Sequence, residues 1–179
     1  MKKIISGTFA ILLILLFSSC GSSPEKMSAK IAKLEKEVKE QSPADTVKIN
    51  ELVEAYSKYA SKYPKDTLAP EYLFRAGGMC LSFNKPSKAI SLFQQVEKDY
   101  PSFSRVGECL FMQGFIYENA LGDFSKAGSI YREFIAKYPG HPLADDAEMS
   151  LKYLGRPAED IVRDFEKKEA DSAAVVQEK

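Results

Sequence analysis

The sequence predicts an all-α fold in which helical hairpins stack side by side as a solenoid of about three repeats. The first observation is a Tyr-Pro pair that recurs at Tyr63-Pro64, Tyr100-Pro101 and Tyr138-Pro139, at intervals of 37 and 38 residues (100 − 63 and 138 − 100). The second is a pattern that repeats between successive Tyr-Pro pairs: a helix with small residues, then a turn, then a helix with large apolar residues. The third is that no stretch has the alternation of a β-strand. Self-similarity at this period is typical of hairpins that cannot bury their apolar faces alone.

Composition indicates a globular protein and excludes one class of ligand. The 179 residues are 45% hydrophobic and 28% charged, with 25 basic and 25 acidic side chains. That balance is typical of a folded domain and not of a disordered chain. Because no basic excess remains to neutralise phosphates, we expect no nucleic acid among the partners.

The first residues have the pattern of a secretory signal. Lys2 and Lys3 precede an unbroken apolar run at residues 9–17. This run is far shorter than the ~20 residues that a helix needs to span a bilayer. We therefore predict a signal peptide over residues 1–19 and no membrane-spanning helix there.

The end of that signal, Phe17-Ser18-Ser19-Cys20, resembles a bacterial lipobox, although Leu is commoner than Phe at its first position. The resemblance implies cleavage between Ser19 and Cys20, lipidation of Cys20, and a short lipidated linker over 20–25. The absence of Asp at position 21, and of an acidic run after Cys20, implies the bacterial outer membrane, facing the periplasm. The alternative is an ordinary secretory signal with a chance cysteine.

Residues 26–40 are predicted to form a charged helix with one apolar stripe. Met27, Ile31, Leu34 and Val38 are spaced 4, 3 and 4 residues apart, which spans about two heptads. Two heptads fall short of the pattern that indicates a coiled coil. The stripe either docks on the first repeat as a cap or serves as a seam for self-association.

Ser42-Pro43-Ala44-Asp45 predicts a helix start, with Ser42 as the cap, Pro43 in the first position and Asp45 in the first turn. The helix over 43–63 would be the second helix of the first hairpin. Its large residues precede the Tyr-Pro proline by 12, 8 and 5 residues, as do those of the later repeats, and all are predicted to point inward: Leu52, Tyr56, Tyr59; Ala89, Phe93, Val96; Ala127, Tyr131, Phe134.

The first helices have their own register, counted from the preceding proline. Leu73 and Leu110 lie nine residues after it, and Gly77 and Gly114 lie thirteen after it. Small residues there predict a close approach of the paired helix, whose large side chains fill the space. A further first helix is expected over 143–154 and a last amphipathic helix over 157–168. The folded domain would thus span 26–168, with a disordered tail over 169–179.

These residues resemble tetratricopeptide repeats over about 43–155, through Leu73, Ala76-Gly77, Ala89, Phe93 and Pro101 and their counterparts Leu110, Gly114, Ala127, Tyr131 and Pro139. The Tyr-Pro endings resemble the subtype found in BamD-type outer-membrane assembly lipoproteins and in the C-terminal domain of the CpoB division coordinator. The resemblance implies a membrane-anchored protein–protein interaction scaffold with no enzymatic activity. It implies a role in outer-membrane protein assembly or envelope biogenesis, and alternatively in the coordination of cell division.

In this family the first helix of each hairpin lines a concave groove, so the resemblance also implies a candidate partner-binding site. Its members by register are Phe74, Leu81, Phe111, Phe115, Met149 and Tyr153. Aromatic and methionine side chains there could bury a peptide or a helix of another envelope protein. The alternative is that the same side chains pack on neighbouring helices as core.

No set of residues indicates catalysis, a cofactor or a metal site. Cys80 and Cys109 differ by eight positions in their repeats, an axial offset of about 12 Å, which predicts free thiols and no disulfide. His141 lies alone in a Gly-His-Pro turn, and Asp145-Asp146 suit the positive end of a helix. Besides the scaffold, the sequence allows a self-associating structural subunit of an envelope complex, associating through 26–40.

Overall fold

A computed structural model describes residues 23–40 and 45–177, with side chains through residue 167. These residues form eight helices and no strand. The helices are α1 (Pro24–Glu40), α2 (Thr46–Lys62), α3 (Leu68–Ser82), α4 (Pro86–Asp99), α5 (Val106–Asn119), α6 (Phe124–Lys137), α7 (Ala144–Tyr153) and α8 (Ala158–Gln177). The predicted all-α class is confirmed.

Helices that follow one another in the chain are also neighbours in space, from α1 on α2 to α6 on α7. The turns inside the hairpins use residues in the left-handed region: Asn84 (φ 54°) between α3 and α4, Gly122 (φ 65°) between α5 and α6, and Gly155 (φ 71°) between α7 and α8. This conformation ends a helix and reverses the chain within a few residues. The result is the predicted solenoid of stacked hairpins.

The predicted inward register of the second helices is confirmed at all nine positions. Each of these side chains is buried, and Tyr59, Tyr131, Phe93 and Phe134 are among the largest side chains that are fully buried. Leu73 and Leu110 of the first helices are buried against them. The buried residues form two clusters: one extends from α1 to α4 and includes Cys109 and Ile116 of α5, and the other covers α5 to α7. The half-buried Met112 and Tyr117 of α5 pack against both clusters.

Helix α1 docks on the first repeat. Ile31 and Leu34 are buried in the core, while Met27 and Val38 pack at its edge. The cap predicted for 26–40 is confirmed because the apolar stripe packs inside the chain, while self-association through 26–40 stays a prediction. Lys48 of α2 adds an ion pair to Glu37 of α1 at 2.8 Å.

Helix α2 begins later than predicted. Asp45 is its N-cap, with an extended backbone (φ −78°, ψ 110°) and a carboxylate that accepts a hydrogen bond from the N–H of Val47. Asp45 therefore precedes the first turn. A side chain that accepts a hydrogen bond from the N–H two residues later favours the N-cap position over a position inside the helix. Ser42 and Pro43 lie outside the described residues.

Helix α8 continues past the predicted end at residue 168 and reaches Gln177. The tail was expected to be disordered, yet residues 169–177 include Ala170, Ala173 and Ala174, and alanine has the highest intrinsic helix propensity. The predicted signal peptide, Cys20 and most of the linker lie outside the described residues. None of the helices in the described part has the length and apolar character needed to cross a bilayer.

Candidate functional site

The first helices of successive hairpins lie side by side and present one shared face. Arg75 of α3 reaches Glu35 of α1, with Nη1 2.9 Å from Oε1. Arg105, at the start of α5, reaches back to α3, where its Nη1 lies 3.6 Å from Oε2 of Glu71. These contacts connect α1, α3 and α5 directly, without the intervening second helices.

The solvent-facing positions of these helices repeat in the same register. Those of α3 recur in α5 after 37 residues, and α7 continues the row with Met149. We call the set the first-helix face: Glu35, Glu71, Arg75, Gly78, Ser82, Glu108, Met112, Phe115, Asn119 and Met149. All are at least partly exposed, as a surface available to a partner must be.

One half of the first-helix face is an ion-pair ladder. Arg75 bridges Glu35 and Glu71, donating from Nε to Glu71 at 2.8 Å, and Arg105 bridges Glu71 and Glu108, with Nη2 2.7 Å from Glu108. The hydrogen bond to Glu71 is the largest cause that raises the pKa of Arg75 above its ordinary value. The ladder therefore keeps its charges and fixes the relative positions of three helices.

The ladder is tied to the core by a tyrosine. Tyr56 of α2 is buried and donates its hydroxyl to Oε1 of Glu35 at 2.6 Å. Burial, and then the hydrogen bond to Glu35, raises the pKa of Tyr56 above its ordinary value. A second tyrosine, Tyr131 of α6, donates in the same way to Glu118 of α5 at 2.7 Å.

The other half of the face is apolar and open. Gly78 has no other group within 4 Å of the place where a Cβ would stand. Phe115 is 39% exposed and Met149 is 45% exposed. Large apolar side chains left exposed next to a bare backbone position form a surface on which another chain can pack.

Three members of the predicted groove are placed as expected or nearly so. Phe115 and Met149 are exposed, and Leu81 is half-buried at the edge of the core. Phe74 is also half-buried, but its ring is covered by the guanidinium of Arg105, whose central carbon lies 3.6 Å from the ring centroid. On its other side Phe74 contacts Phe93, with ring centroids 5.5 Å apart.

Phe111 is a core residue, so its assignment to the groove is wrong. Its side chain is 9% exposed, and its ring lies 5.6 Å from the rings of both Tyr131 and Phe134. The reason is helical phase. Phe111 follows the buried Leu110 and lies one turn before the buried Gly114, so it shares the inward side of α5 with both.

Tyr153 lies under the start of the last helix. Its ring is half-buried, 5.8 Å from Phe165 of α8, and Arg156 lies 5.7 Å from its centroid. Helix α8 nevertheless leaves Val162 and Phe165 about half exposed. The end of the solenoid therefore offers further apolar surface beside Tyr153.

Sequence reasoning did not find the ladder. Its residues are ordinary charged side chains, and Glu71 and Arg75 carry only the i, i+4 spacing that is common on solvated helices. The usable signal was that Glu71 and Glu108 share a register 37 residues apart, which places both beside the same neighbouring arginine.

The remaining polar candidates have structural roles. His141 accepts the N–H of Leu143 at Nδ1 (3.1 Å) and packs on Phe134, which confirms a turn histidine. Cys80 and Cys109 are buried free thiols, as predicted, and burial raises the pKa of both. Asp145 and Asp146 occupy the first turn of α7. Across the described residues no three potential ligands cluster as a metal site.

Comparison with known proteins gives one family. A model described as "Tetratricopeptide repeat" matches residues 108–141, which cover most of α5, all of α6 and the turn that follows. A search of curated proteins finds none that matches the chain. Tetratricopeptide repeats are interaction scaffolds, and the matched hairpin has the same register and packing as the hairpin of α3 and α4. The chain therefore folds as a tetratricopeptide-repeat solenoid of helical hairpins.

Proposed function

We propose that the protein is a non-enzymatic scaffold, anchored by a lipid on Cys20 to the periplasmic side of a bacterial outer membrane. Its first-helix face binds a segment of another envelope protein. The observation that carries the proposal is the open apolar stripe of Gly78, Phe115 and Met149 beside a fixed ladder of charges. No cofactor is required for this activity.

The two halves of the face suit different parts of recognition. Exposed aromatic and methionine side chains supply the apolar anchor points that dominate interface energies. The ladder supplies charges that orient the partner and reject others, because groups already held by neighbours lose little freedom on binding. The bare backbone at Gly78 allows a partner chain to approach α3 closely. An extended segment or an amphipathic helix fits this description.

The lipid would act by raising the local concentration of the first-helix face near other proteins of the same membrane. Holding the face at one membrane makes encounters with other proteins of that membrane effectively intramolecular. Acyl chains are worth about 0.8 kcal/mol per buried CH₂, so two or more chains give stable attachment. The resemblance of the Tyr-Pro endings to envelope lipoproteins supports a role in outer-membrane protein assembly or another step of envelope biogenesis.

A photo-activated cross-linking residue in place of Phe115 tests the binding face. Irradiation of cells is expected to capture a discrete envelope protein, identified by mass spectrometry. The matched control carries the same group at Gln95, an exposed position on the second helix α4. Capture of the same protein from both positions would reject the first-helix face as the binding site.

Metabolic labelling with an alkynyl fatty acid tests the anchor. The chain is expected to take up label and to fractionate with the outer membrane, and Cys20→Ser is expected to lose both. A chain that is exported and remains soluble with Cys20 unmodified would overturn the anchor. The proposal for the binding face would then depend on the cross-linking result alone.

A further inference from the structure

A second surface lies at the end of the first hairpin, away from the ladder. A cleft of about 510 Å³ opens between α1 and α2. Its apolar floor is formed by Met27, Ile31, Leu34 and Ala55, and its rim carries four lysines: Lys26 and Lys30 from α1, and Lys58 and Lys62 from α2. We call these four lysines and this floor the basic cleft.

The lysines gather at one end because the two helices run in opposite directions. Lys26 and Lys30 lie in the first turns of α1, and Lys58 and Lys62 lie in the last turns of α2. The acidic lining residues, Glu51 and Glu54, lie earlier in α2, and Glu54 is one turn, about 6 Å along the axis, before Lys58. The lysines therefore lie towards the open end of the hairpin and the acids towards its middle.

Further charges surround the cleft. Lys65 adds a positive charge, and Glu25 and Asp66 are the neighbouring acids, with Lys65 and Asp66 lining an adjoining hollow that also includes Lys62. With Lys65, and with Glu51 and Glu54 counted among the acids, five lysines lie beside four carboxylates around the cleft. The local excess is positive, although the chain as a whole is neutral.

The lysines of the rim differ from those farther along α1. Lys33 and Lys36 pair with Glu37 and Glu40 one turn on. Lys26, Lys30 and Lys58 form no ion pair with any residue that the structure describes. Their charges are thus available to an anion from outside the chain, while their methylene stems can lie along the apolar floor.

The position of the basic cleft along the chain identifies that anion. Helix α1 begins at Pro24, four residues after Cys20, so the two can be no more than about 14 Å apart even when the linker is fully extended. Lys26 and Lys30 lie only about 3 and 9 Å farther along the helix axis. A lipid on Cys20 would therefore hold Lys26 and Lys30 within about two to three Debye lengths (8–10 Å each) of the membrane surface even when the linker is fully extended.

We propose that the basic cleft docks on the headgroups of anionic phospholipids in the membrane that holds the anchor. The proposal rests on the lipidation of Cys20 proposed above. The ammonium groups lie over lipid phosphates, while the half-buried Met27 and Ala55 are the part of the floor that can contact the less polar part of the headgroup region. This contact gives the anchored chain a fixed orientation, with the first hairpin against the membrane and the later hairpins projecting from it.

Vesicle binding tests the basic cleft without the acyl chains. The processed chain, residues 20–179 with Cys20→Ser, is mixed at low ionic strength with vesicles of phosphatidylglycerol and phosphatidylcholine or of phosphatidylcholine alone, and sedimented. We expect binding to the anionic vesicles that weakens as salt is added. Equal binding to both kinds of vesicle would overturn the proposal.

The test variant is Lys26→Gln, Lys30→Gln and Lys58→Gln together. Each lysine near an anionic surface contributes about fivefold to binding, so the variant is expected to bind on the order of 100-fold more weakly. The matched control removes three exposed lysines of later hairpins, Lys88→Gln, Lys98→Gln and Lys152→Gln, and is expected to lose less than about twofold, because those charges lie farther from the surface. Equal losses in the two variants would show general charge attraction only, and would overturn a defined docking surface.

Two measurements keep this result separate from the anchor and from folding. The unfolding midpoints of the two variants should equal that of the parent, since all six lysines are outside the core. Fatty-acid labelling of the Lys26/Lys30/Lys58 variant in cells should remain intact, because it depends on Cys20 alone. Loss of labelling in the parent with intact vesicle binding would reject the anchor; intact labelling with no lysine dependence would reject the basic cleft.

Discussion

Gly77 lies against the ring of Phe93, so close that a Cβ on Gly77 would stand 2.7 Å from Cε1 of that ring. The next hairpin repeats the relationship, with a Cβ at Gly114 2.8 Å from Cε1 of Tyr131. Real Cβ atoms do not come so near a ring carbon. The glycines therefore set the distance between the two helices of each hairpin.

Gly77→Ala is expected to destabilise the protein even though alanine favours helices by about 1 kcal/mol. Phe93 is fully buried and cannot move aside, and overpacking a filled core costs roughly 1–3 kcal/mol. Urea unfolding should show a lower midpoint. The neighbouring Gly78→Ala is the control: nothing lies within 4 Å of its added methyl group, so its midpoint should rise. A rise in both variants would contradict the close contact.

Phe111→Ala and Phe115→Ala are expected to separate core from binding face. Phe111 is buried between two rings, and such a truncation costs about 3–5 kcal/mol. Phe115 is 39% exposed, so its removal should change the free energy of unfolding far less. Denaturant titration measures the first effect. Weaker binding of the partner that cross-linking identifies, with a normal unfolding midpoint, is the expected outcome for Phe115→Ala; a large loss of stability there would place it in the core.

The spacing of the sequence predicted most of this fold because a repeat supplies the same evidence several times. Tyr56, Phe93 and Tyr131 belong to three separate helices, yet one interval, eight residues before the Tyr-Pro proline, identifies the buried side of each. Each copy tests the register of the others. The boundaries of α2 and α8 were predicted less well, since they depend on a local capping bond and on local propensity, which the repeat does not report.

The candidate site was harder to predict because exposure depends on which helix covers which. Phe111 and Phe115 are four residues apart and both aromatic, yet Phe111 is covered by Tyr131 and Phe134 of α6 whereas Phe115 is left 39% exposed. The contacts of Arg105 could not be predicted from the sequence for a related reason. Arg105 precedes its helix, and its contacts with Glu71 and Phe74 belong to the preceding hairpin.

Tyr131→Phe is expected to lower the free energy of unfolding by about 1.5 kcal/mol, the low end for a hydrogen bond to a charged group, because Glu118 is half exposed and regains water. Phe93 fills the corresponding position of the preceding hairpin, so the ring itself is tolerated. Tyr138→Phe is the control, since its hydroxyl makes no hydrogen bond with the described residues. Equal losses for the two variants would contradict a specific role of the Tyr131 hydroxyl.

Arg75→Gln is expected to loosen α1 more than it changes the whole protein. Arg75 is about half exposed, and such ion pairs contribute roughly 0–1 kcal/mol, so global stability should fall only slightly. Amide hydrogen exchange should nevertheless speed up in α1, because Glu35 loses its partner on α3. Arg132→Gln, which removes an exposed arginine without an ion pair in the described structure, should leave exchange in α1 unchanged.

Stability is expected to fall as the solution is made alkaline, partly through Cys109. Burial, followed by the nearby carboxylates of Glu97 and Glu108, raises the pKa of its thiol to about 12 from an ordinary 9.0. The folded state therefore keeps a proton that the unfolded chain releases above pH 9. The stabilisation is complete below pH 9 and is lost as the pH rises towards 12, at about 1.4 kcal/mol per pH unit for one proton.

Cys109→Ala isolates that contribution, since alanine does not titrate and the other alkaline groups are unchanged. The free energy of unfolding of each protein is measured in urea at pH 7, 9, 10 and 11. The difference between parent and variant should be constant up to pH 9, and above pH 9 the parent should lose stability relative to the variant. A thiol reagent should react with the folded parent only as fast as it opens, because the side chain is fully buried. A difference that stays constant to pH 11 would mean that the thiol titrates equally in the folded and unfolded chains, and would place Cys109 in contact with water.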